Sequence, residues 1–470
     1  MAMGKRESEQ QQDLFITPDK LPRSPGHVFY EKLNGVLNAA GFDRWVEKLC
    51  EPHYVRGQGR PGIPPGVYFR MLLVGYFEGI NSQRGIAWRC SDSLSLRTFL
   101  GLRLGEESPD HSSLTRLRNR LPLEAHGAVF VWILALAREQ KLLQGKSVAV
   151  DSTTLEANAA MKSIVRRDTG DDWKQYVTQL MREEGALDED DDGNEQPPTD
   201  DALRQFDKTR KNKKVSNEDW VSPTDEDSRI ARMKDGTTRL AYKAEHVVDL
   251  DSELLLAAEI YQADQHDTAT LEDSLRQAQI NQEAAGSDQE IEEAAADKGY
   301  HGTETLTNLA EHTNVRTYIP EPASPRQRVW TRRSPEEKRA VYNNRRRTRG
   351  ERGKKLQRLR SERVERSFAH VCETGGARRT WLAGIDNVRK RYLISAAAHN
   401  IGVLMRSLFK MGTPRGLQQF RAGLRGLRLS PQLAWHAIQR SRELTGPPDR
   451  RATQSTHPAT PPPHLGILAA

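Results

Sequence analysis

Apolar and polar positions follow two different periods along the chain, and the change comes near residue 141. Before it, apolar residues recur at helical spacing. Prolines open the stretch PPGVYFRMLLVGYFEG and suit a first helical turn, so this stretch predicts a buried helix that ends near Gly79. A short helix is predicted in SPDHSSLTRLRNRLP, with its cap at Ser112 or Ser113 and its leucines on one side. We therefore predict a helical N-terminal domain over residues 25–140.

Three arginines, Arg116, Arg118 and Arg120, lie on the short helix, largely away from its leucines. A basic helix that follows a turn suits docking on DNA, because arginine pairs with backbone phosphates. An ordinary solvated arginine face on a helical bundle explains the pattern equally well. The sequence leaves DNA contact at these arginines as an open hypothesis.

After residue 141 the pattern becomes that of strands. An apolar run in GKSVAVDSTTLEA predicts a buried strand with Asp151 at or near its end. The chain then predicts a hairpin in RLAYKAEHVVDLDSELLLAAEIYQAD, a helix in HDTATLEDSLRQAQI, and strands in IEEAAADKGY and NVRTYIP. Asp297 follows the fourth strand, and Gly299 permits a tight turn after it. This order predicts an α/β fold with a mixed sheet flanked by helices, in which Asp151 and Asp297 lie close if their strands are neighbours.

A charged segment over about residues 160–235 interrupts this order. It contains ALDEDDDGNEQPPTDD, which has prolines and no apolar period. Such composition predicts a flexible surface excursion. Weak cation binding is the alternative, but the acids lack the spacing and the glycine of a calcium loop.

An arginine-dense segment over about residues 322–364 is the strongest electrostatic signal in the chain. Arginines here, with Arg345, Arg346 and Arg347 as candidates, would supply counter-charges to a phosphate backbone. Trp330 would stack on an exposed base, although packing is the commoner use of such an aromatic side chain. A nonspecific basic linker is the alternative interpretation of the whole segment.

Composition favours an anionic polymer as the partner. The chain has 470 residues and a formal net charge of +7, with 36% hydrophobic and 29% charged residues. The three cysteines are scattered and have no neighbours at zinc spacing, which indicates reduced thiols. No signal peptide and no run of about 18 apolar residues is evident, so we expect a cytoplasmic protein without a membrane partner.

The two ends of the chain differ in composition from the rest. We predict a disordered N-terminus over residues 1–24 and a C-terminal extension over 416–470. The extension is rich in proline and small residues from about residue 440, where we expect it to be largely disordered. The α/β domain is then predicted to span residues 141–415.

Three acidic motifs, taken together, resemble a known family. They are VAVDSTTLEANAA, AAADKGYHG and RVERSFAHVCETGGARRTWLAGIDNVRKRYLISAAAHNIGVLMR, and PDHSSLTRLRNRL precedes them. The chain is similar to bacterial insertion-sequence transposases of the DDE type, of the insertion-sequence four/five-like group, over about residues 25–415. The resemblance implies a ribonuclease H-like core preceded by a helical DNA-binding domain.

Carried over by motif, the family's catalytic and metal-binding acids fall on Asp151, Asp297 and Glu365, with Glu362 as the competing glutamate. The family often has a lysine or arginine about two helical turns after the glutamate, where this chain has Cys372. Arg378 and Arg379 are the candidate substitutes. The arginine that often precedes the glutamate has three candidates, which the sequence does not separate: Arg358, Arg360 and Arg363.

The resemblance implies a DNA transposase that cleaves DNA and transfers strands at the ends of an insertion sequence. Two Mg²⁺ ions about 4 Å apart, with Mn²⁺ as a substitute, would activate the attacking oxygen and stabilise the leaving one. The implied partners are double-stranded DNA with terminal inverted repeats and target DNA, bound by a homodimer. The alternatives are a metal-dependent nuclease of the same fold without strand transfer, or a catalytically silent DNA-binding derivative.

Overall fold

Helices form the N-terminal region, as the apolar spacing predicts. The computed structural model describes residues 17, 26–54, 62–103, 105–188, 190, 194–210, 216–233, 235–323, 330–331 and 333–414. The helices of its first part are α1 (Gly26–Ala39), α2 (Phe42–Cys50), α3 (Pro65–Glu78), α4 (Gln83–Asp92), α5 (Leu94–Phe99), α6 (His111–Arg120) and α7 (Leu123–Glu139).

The predicted ends of these helices are partly right. Helix α3 ends before Gly79, whose φ of 70° closes the helix as the sequence predicts. The predicted cap of α6 is wrong, because Asp110 precedes Ser112 and Ser113 and its carboxylate accepts their backbone N–H groups. Both serines therefore lie inside the first turn of α6.

A mixed sheet follows the helices, as predicted, but over the described residues it has six strands where the sequence indicated five. The strand at Arg229–Arg232 was not predicted. The six strands are β1 (Ser147–Glu156), β4 (Arg229–Arg232), β5 (Thr238–Asp249), β6 (Leu255–Gln262), β7 (Glu293–Ala296) and β8 (Arg316–Tyr318). Strand β1 pairs antiparallel with β5 and parallel with β7, which in turn pairs parallel with β8. Strands β4 and β6 both pair antiparallel with β5. The central strand is therefore β1, which carries Asp151.

Asp151 does not end its strand. Strand β1 continues to Glu156, because β5 pairs with it along its whole length, from Val148 opposite Asp249 to Glu156 opposite Ala241. The polar run after Asp151 carries little apolar signal, and cross-strand hydrogen bonds extend the strand through it.

Helices cover the sheet and join it to the N-terminal region. They are α10 (Asp267–Ala284), α11 (Thr303–His312), α12 (Pro335–Arg349), α13 (Glu351–Phe368) and α14 (Ile385–Phe409). Helix α13 packs on β1, β5 and β7, whereas α14 contacts β6 and also α3 and α7. One continuous hydrophobic cluster consequently runs from Phe29 in α1 to Met405 in α14. The predicted fold class, a helical region followed by a mixed sheet flanked by helices, is confirmed.

The charged segment at about 160–235 is more ordered than predicted. It contains α8 (Trp173–Glu183), α9 (Asp200–Thr209) and the two-stranded pair of β2 (Val165–Arg166) with β3 (Trp220–Val221). Val177, Met181 and Leu203 form a small core of their own between the two helices. These few apolar residues stand among many charged ones, which hides their helical period.

The arginine-dense segment is helical over its described part. Helix α12 begins with a capping box in which the Ser334 and Glu337 side chains bond each other's backbone N–H groups. Helix α13 follows after Gly350. The alternative of a basic linker is therefore wrong for residues 333–364.

The remaining sequence predictions concern the ends, the cysteines and membranes. The N-terminal residues predicted to be disordered, residue 17 apart, and the C-terminal extension lie outside the described residues. The cysteines Cys50, Cys90 and Cys372 are buried thiols, and the described residues contain no disulfide. Among the described helices, no single one is long and apolar enough to cross a bilayer; the bent pair α6 and α7, at 97°, meets the criteria of length and composition together.

A buried glutamate holds the first residues of the two central parallel strands together. Glu293 lies opposite Ser147 and is only 5% exposed. It accepts hydrogen bonds from the Ser147 hydroxyl at 2.7 Å, the Tyr318 hydroxyl at 2.9 Å and the Arg352 guanidinium. Burial disfavours the charged carboxylate, but these hydrogen bonds outweigh it and lower the pKa of Glu293 to about 2.

Replacing Glu293 by glutamine should lower the free energy of unfolding at pH 7 by about 2 kcal/mol, the scale of hydrogen bonds to a charged group. Because the folded-state pKa lies below the unfolded value of about 4.3, this stability is present above that value and is lost as the pH falls towards 2. Urea unfolding of both proteins at pH 7 and pH 3 measures the difference. Glu292→Gln, which removes a neighbouring carboxylate with surface partners, is the control and should change stability by less than about 1 kcal/mol. A difference between wild type and Glu293→Gln that stays constant from pH 7 to pH 3 would contradict this assignment.

Candidate active site

The register of the central parallel strands places two aspartates side by side. Val150 of β1 lies opposite Ala296 of β7, and the next residues along the two strands are Asp151 and Asp297. Asp297 lies just past the end of β7 and begins a 3-10 turn over Lys298–Tyr300. The predicted proximity of these two acids follows from this pairing.

One arginine contacts both carboxylates. The Arg360 guanidinium, carried by α13, donates from Nη1 to Asp151 Oδ2 at 2.6 Å, and its Nη2 lies 3.8 Å from Asp297 Oδ1. The Arg360 side chain is 12% exposed, whereas the Asp151 and Asp297 side chains are 26% and 47% exposed. The two acids therefore converge on one cation beside the end of β7, where both carboxylates are partly exposed.

Helix geometry explains why an arginine of α13 meets this pair. Arg352, eight residues before Arg360, contacts Glu293 and Ser147, which lie four residues before Asp297 and Asp151. Eight helical residues rise about 12 Å and four strand residues about 13 Å, so the two spacings match. Helix α13 thus runs along β1 and brings an arginine to each of two acidic positions.

Gln357 ties Arg360 to the end of β7. Its side-chain amide donates to the carbonyl of Ala296 at 3.1 Å, and its Oε1 accepts from Arg360 Nε at 3.2 Å. The position of the guanidinium is therefore coupled to the backbone immediately before Asp297.

A buried polar network on the other face of the sheet fixes the turn after Asp297. The Tyr300 hydroxyl donates to Glu245 Oε2 at 2.8 Å, and both side chains are fully buried. Burial, with the Glu245 carboxylate, raises the pKa of Tyr300 well above its usual value, so the hydroxyl remains a donor. Lys243 lies 3.2 Å from the same carboxylate, and the Thr270 hydroxyl donates to it at 2.8 Å. Tyr300 thereby anchors the turn that carries Asp297.

Close approach accounts for Gly299 in that turn. A Cβ at this position would come within 2.7 Å of the Asp267 carboxylate, which is held by Ser152 and Lys243. The predicted need for glycine is met in this way rather than by a left-handed backbone, since the φ of Gly299 is not positive.

Glu365 lies apart from the line of α13 residues that faces the sheet. It follows Arg360 by five residues, which turns it about 140° around the helix, and its side chain is exposed. Within the described part of the chain, no group of three or more His, Cys, Asp and Glu side chains is arranged to hold a metal ion. The structure therefore brings Asp151 and Asp297 together, and it leaves Glu365 exposed on α13, outside this pair.

The donor chemistry of the aspartate pair fits a divalent ion. Carboxylate oxygens are the ligands that Mg²⁺ and Mn²⁺ prefer, and substrate phosphates and water complete their coordination. Asp151 and Asp297 already share a cation, the guanidinium of Arg360. Two carboxylates on adjacent strands could hold a metal ion where that cation now lies.

The family often has a basic residue where this chain has Cys372, and the two candidate substitutes, Arg378 and Arg379, lie in different places. Cys372 is buried, with its sulfur 3.8 Å from the Tyr392 hydroxyl. Arg378 reaches β1 and donates to the Thr153 hydroxyl at 2.8 Å, two residues after Asp151. Arg379 lies instead beside Glu156, at the end of that strand. Of the two arginines, Arg378 is therefore the one nearer to the aspartate pair along β1.

The three arginines proposed for α12 have different surroundings. Arg345 forms a two-pronged pair with Glu321, at 2.9 and 3.0 Å, and Arg347 donates to the carbonyl of Thr317 at 3.0 Å. Arg346 is exposed. The first two side chains therefore stabilise the fold, and Arg346 is the one that faces outward.

Trp330 packs within the protein. Its ring lies 5.7 Å from that of Tyr342, with an angle of 33° between the planes. The ring is partly buried against the hydrophobic cluster. This contact is the packing alternative that the sequence left open.

The three arginines of α6 also differ in exposure. Arg116 is exposed and donates to the Ser112 hydroxyl, and Arg120 is exposed with its guanidinium 4.9 Å from the Tyr54 ring centre. Arg118 is half-buried, and burial lowers the pKa of its guanidinium. Arg116 and Arg120 are therefore the two whose side chains are exposed.

Sequence reasoning missed the network behind Asp297. Lys243 and Glu245 lie two residues apart on β5, within the motif YKAEHVVD of a strand whose other residues are largely apolar. Two charges on one face of an otherwise apolar strand are a signal for a buried ion pair, because the core cannot hold them unpaired.

Comparison with known families gives two matches. Residues 18–120 match the transposase domain (DUF772), and residues 195–401 match the transposase DDE domain. The second match includes Asp297 and Glu365 and begins after Asp151. Among curated proteins and among solved structures, nothing matches the chain at a significant level.

These matches agree with the fold and with the acidic motifs. Helices α1 to α6 fall within the first match, and strands β4 to β8, α10 to α13 and most of α14 fall within the second. Helix α7 and strand β1 lie between the two matches. The insertion-sequence four/five-like grouping stays a prediction. The chain belongs to the DDE transposases of insertion sequences.

Proposed function

We propose that this transposase cleaves DNA at the ends of an insertion sequence and transfers the freed strands into target DNA, with Asp151, Asp297 and Glu365 as its catalytic acids. The observation that carries the proposal is the convergence of Asp151 and Asp297, from adjacent parallel strands, on one cation. Glu365 is included as the third acid because of the family motif and because it lies on α13, the helix that also carries Arg360.

The chain's own residues prepare a site for phosphoryl transfer. When bound, two Mg²⁺ ions supply Lewis-acid stabilisation to the attacking and leaving oxygens, and Mn²⁺ is expected to replace them. Strand pairing fixes the spacing of Asp151 and Asp297, and the Tyr300–Glu245 contact fixes the turn behind Asp297. Preorganised ligands of this kind need little rearrangement during the reaction.

Exposed arginines support the DNA contact. Arg116, Arg120 and Arg346 are exposed, and the chain has a formal net charge of +7. Neutralising phosphates with such side chains releases counter-ions, so binding should weaken as salt is raised. We infer that these arginines bind the backbone, while Arg118, Arg345, Arg347 and Trp330 contribute through packing.

The further parts of the proposal follow from the reaction. Joining two ends of one element requires both ends in one complex, which favours a homodimer bound to two terminal inverted repeats and to target DNA. The protein would act in the bacterial cytoplasm, on the nucleoid. These features rest on the family and on the charge of the chain.

Replacing Asp151 or Asp297 by asparagine should lower the rate of end cleavage by about 10³-fold, because a metal ligand is lost. Binding of end DNA should be retained, since the fold and the exposed arginines are unchanged. Cleavage of a labelled duplex and a mobility-shift titration measure the two properties. Asp251→Asn, in the exposed turn after β5, is the matched control and should cleave normally. Cleavage by Asp151→Asn at the wild-type rate would contradict the proposal.

Two glutamates on α13 test the third acid. Glu365→Gln should lose cleavage to a similar degree, whereas Glu362→Gln should keep it, because the family motif places the third acid on Glu365 and the Glu362 carboxylate pairs with Arg366. The same cleavage assay compares the two proteins. The reverse result would assign the role to Glu362.

Strand transfer separates the transposase from a nuclease of the same fold. With duplexes already cut to expose the 3′-hydroxyl at the element end, the protein with Mg²⁺ should join these ends to a supercoiled plasmid. Gel analysis of the products detects the joined species. Cleavage of intact ends without any joining of pre-cut ends would favour the nuclease.

A further inference from the structure

Arg360 occupies the place that a shared metal ion would need. Its two terminal nitrogens lie 2.6 Å from Asp151 Oδ2 and 3.8 Å from Asp297 Oδ1. A divalent ion bound by both carboxylates would lie between the same oxygens, at about 2.1 Å for Mg²⁺. The guanidinium and the ion therefore compete for one volume and for the same negative charge.

The Arg360 guanidinium can neither act as a metal ligand nor avoid repelling the metal ion by losing its charge. A guanidinium has five N–H donors and no acceptor, so it offers no lone pair to a metal. It also stays protonated in proteins, so its repulsion of a nearby cation persists at working pH. Metal entry between the two acids consequently requires the Arg360 side chain to leave.

In the protein without metal, the contact of Arg360 with Asp151 and Asp297 reduces the repulsion between the two carboxylates. Like charges on directly neighbouring strand positions repel, and a cation between them removes that cost. The Arg360 side chain is 12% exposed and is tied by Gln357 to the backbone before Asp297, so it is no loose surface ion pair. Arg358 is exposed on the same helix and is therefore the matched comparison.

Resting on the proposed function of the aspartate pair, we propose that Arg360 is a resident counter-ion that holds Asp151 and Asp297 together in the absence of metal and must be displaced before a divalent ion binds. A backbone phosphate of DNA is its partner after displacement, because the planar guanidinium matches phosphate oxygens. Phosphate then supplies both a new partner for Arg360 and oxygen ligands for the ion. Metal binding is thereby coupled to DNA binding, and the protein without DNA binds the ion more weakly.

The test is Mn²⁺ binding to the full chain without DNA, measured by electron paramagnetic resonance of the free ion. Arg360→Gln should bind Mn²⁺ about tenfold more tightly than wild type, a typical size for coupling between two ligands. Arg360→Lys keeps the positive charge and should bind as weakly as wild type, which a loss of hydrogen bonds alone would not produce. Arg358→Gln removes the same charge from the exposed side of α13 and should leave the affinity unchanged.

DNA provides the second half of the test. A duplex from the element end should tighten Mn²⁺ binding by wild type much more than by Arg360→Gln, because the variant has no counter-ion to displace. Equal tightening in both proteins would overturn the coupling.

The outcomes separate this proposal from the proposed function. If Mn²⁺ binding is abolished by Asp151→Asn but Arg360→Gln binds no more tightly than Arg358→Gln, the counter-ion role is wrong and the metal site stands. If Asp151→Asn leaves Mn²⁺ binding intact, the metal site itself is wrong.

Folding of the variant gives a further readout. Arg360→Gln should melt at a lower temperature than wild type without metal, and saturating Mn²⁺ should raise its melting temperature more than that of wild type, since the ion replaces the lost cation. A variant that remains unfolded in Mn²⁺ would overturn the proposal.

Discussion

Two like charges on adjacent parallel strands are the constraint on which the site depends. The register that pairs Val150 with Ala296 leaves Asp151 and Asp297 as neighbours, and such a pair is costly unless a cation lies between them. In this structure the cation is Arg360, delivered by α13. Under the proposed function, a divalent ion would meet the same requirement. The fold thus supplies a place for positive charge and leaves the identity of that charge open to exchange.

Contacts on both faces of the sheet hold the aspartate pair in place. Helix α13 places Arg352 against Glu293 and Arg360 against Asp151. It can do so because eight residues along the helix rise about as far as four residues along β1 and β7. On the opposite face, Glu245 and Tyr300 fix the turn after Asp297 through a fully buried hydrogen bond. On the side of α13 the two aspartates stay partly exposed, whereas Glu245 and Tyr300 on the opposite side are fully buried.

The sequence predicted what depends on local pattern and missed what depends on partners. Apolar runs and turn residues predicted the strand around Val150 and the hairpin of β5 and β6. They also predicted that Asp297 directly follows a strand, which is β7. The extension of β1 past Asp151 was missed, because the pairing with β5 maintains it through polar residues. Among three candidate arginines, nothing local separates Arg360, since only the packing of α13 decides which one faces the acids. The apolar residues of α8 and α9 were hidden by the charges around them.

A crystal of the transposase with end DNA, soaked in Mn²⁺, would test the central claim most directly through the anomalous scattering of the ion. We predict a peak within about 2.2 Å of carboxylate oxygens of both Asp151 and Asp297, with the Arg360 side chain moved away from them. A complex in which Arg360 still joins the two carboxylates, and in which manganese is bound elsewhere, would contradict the account.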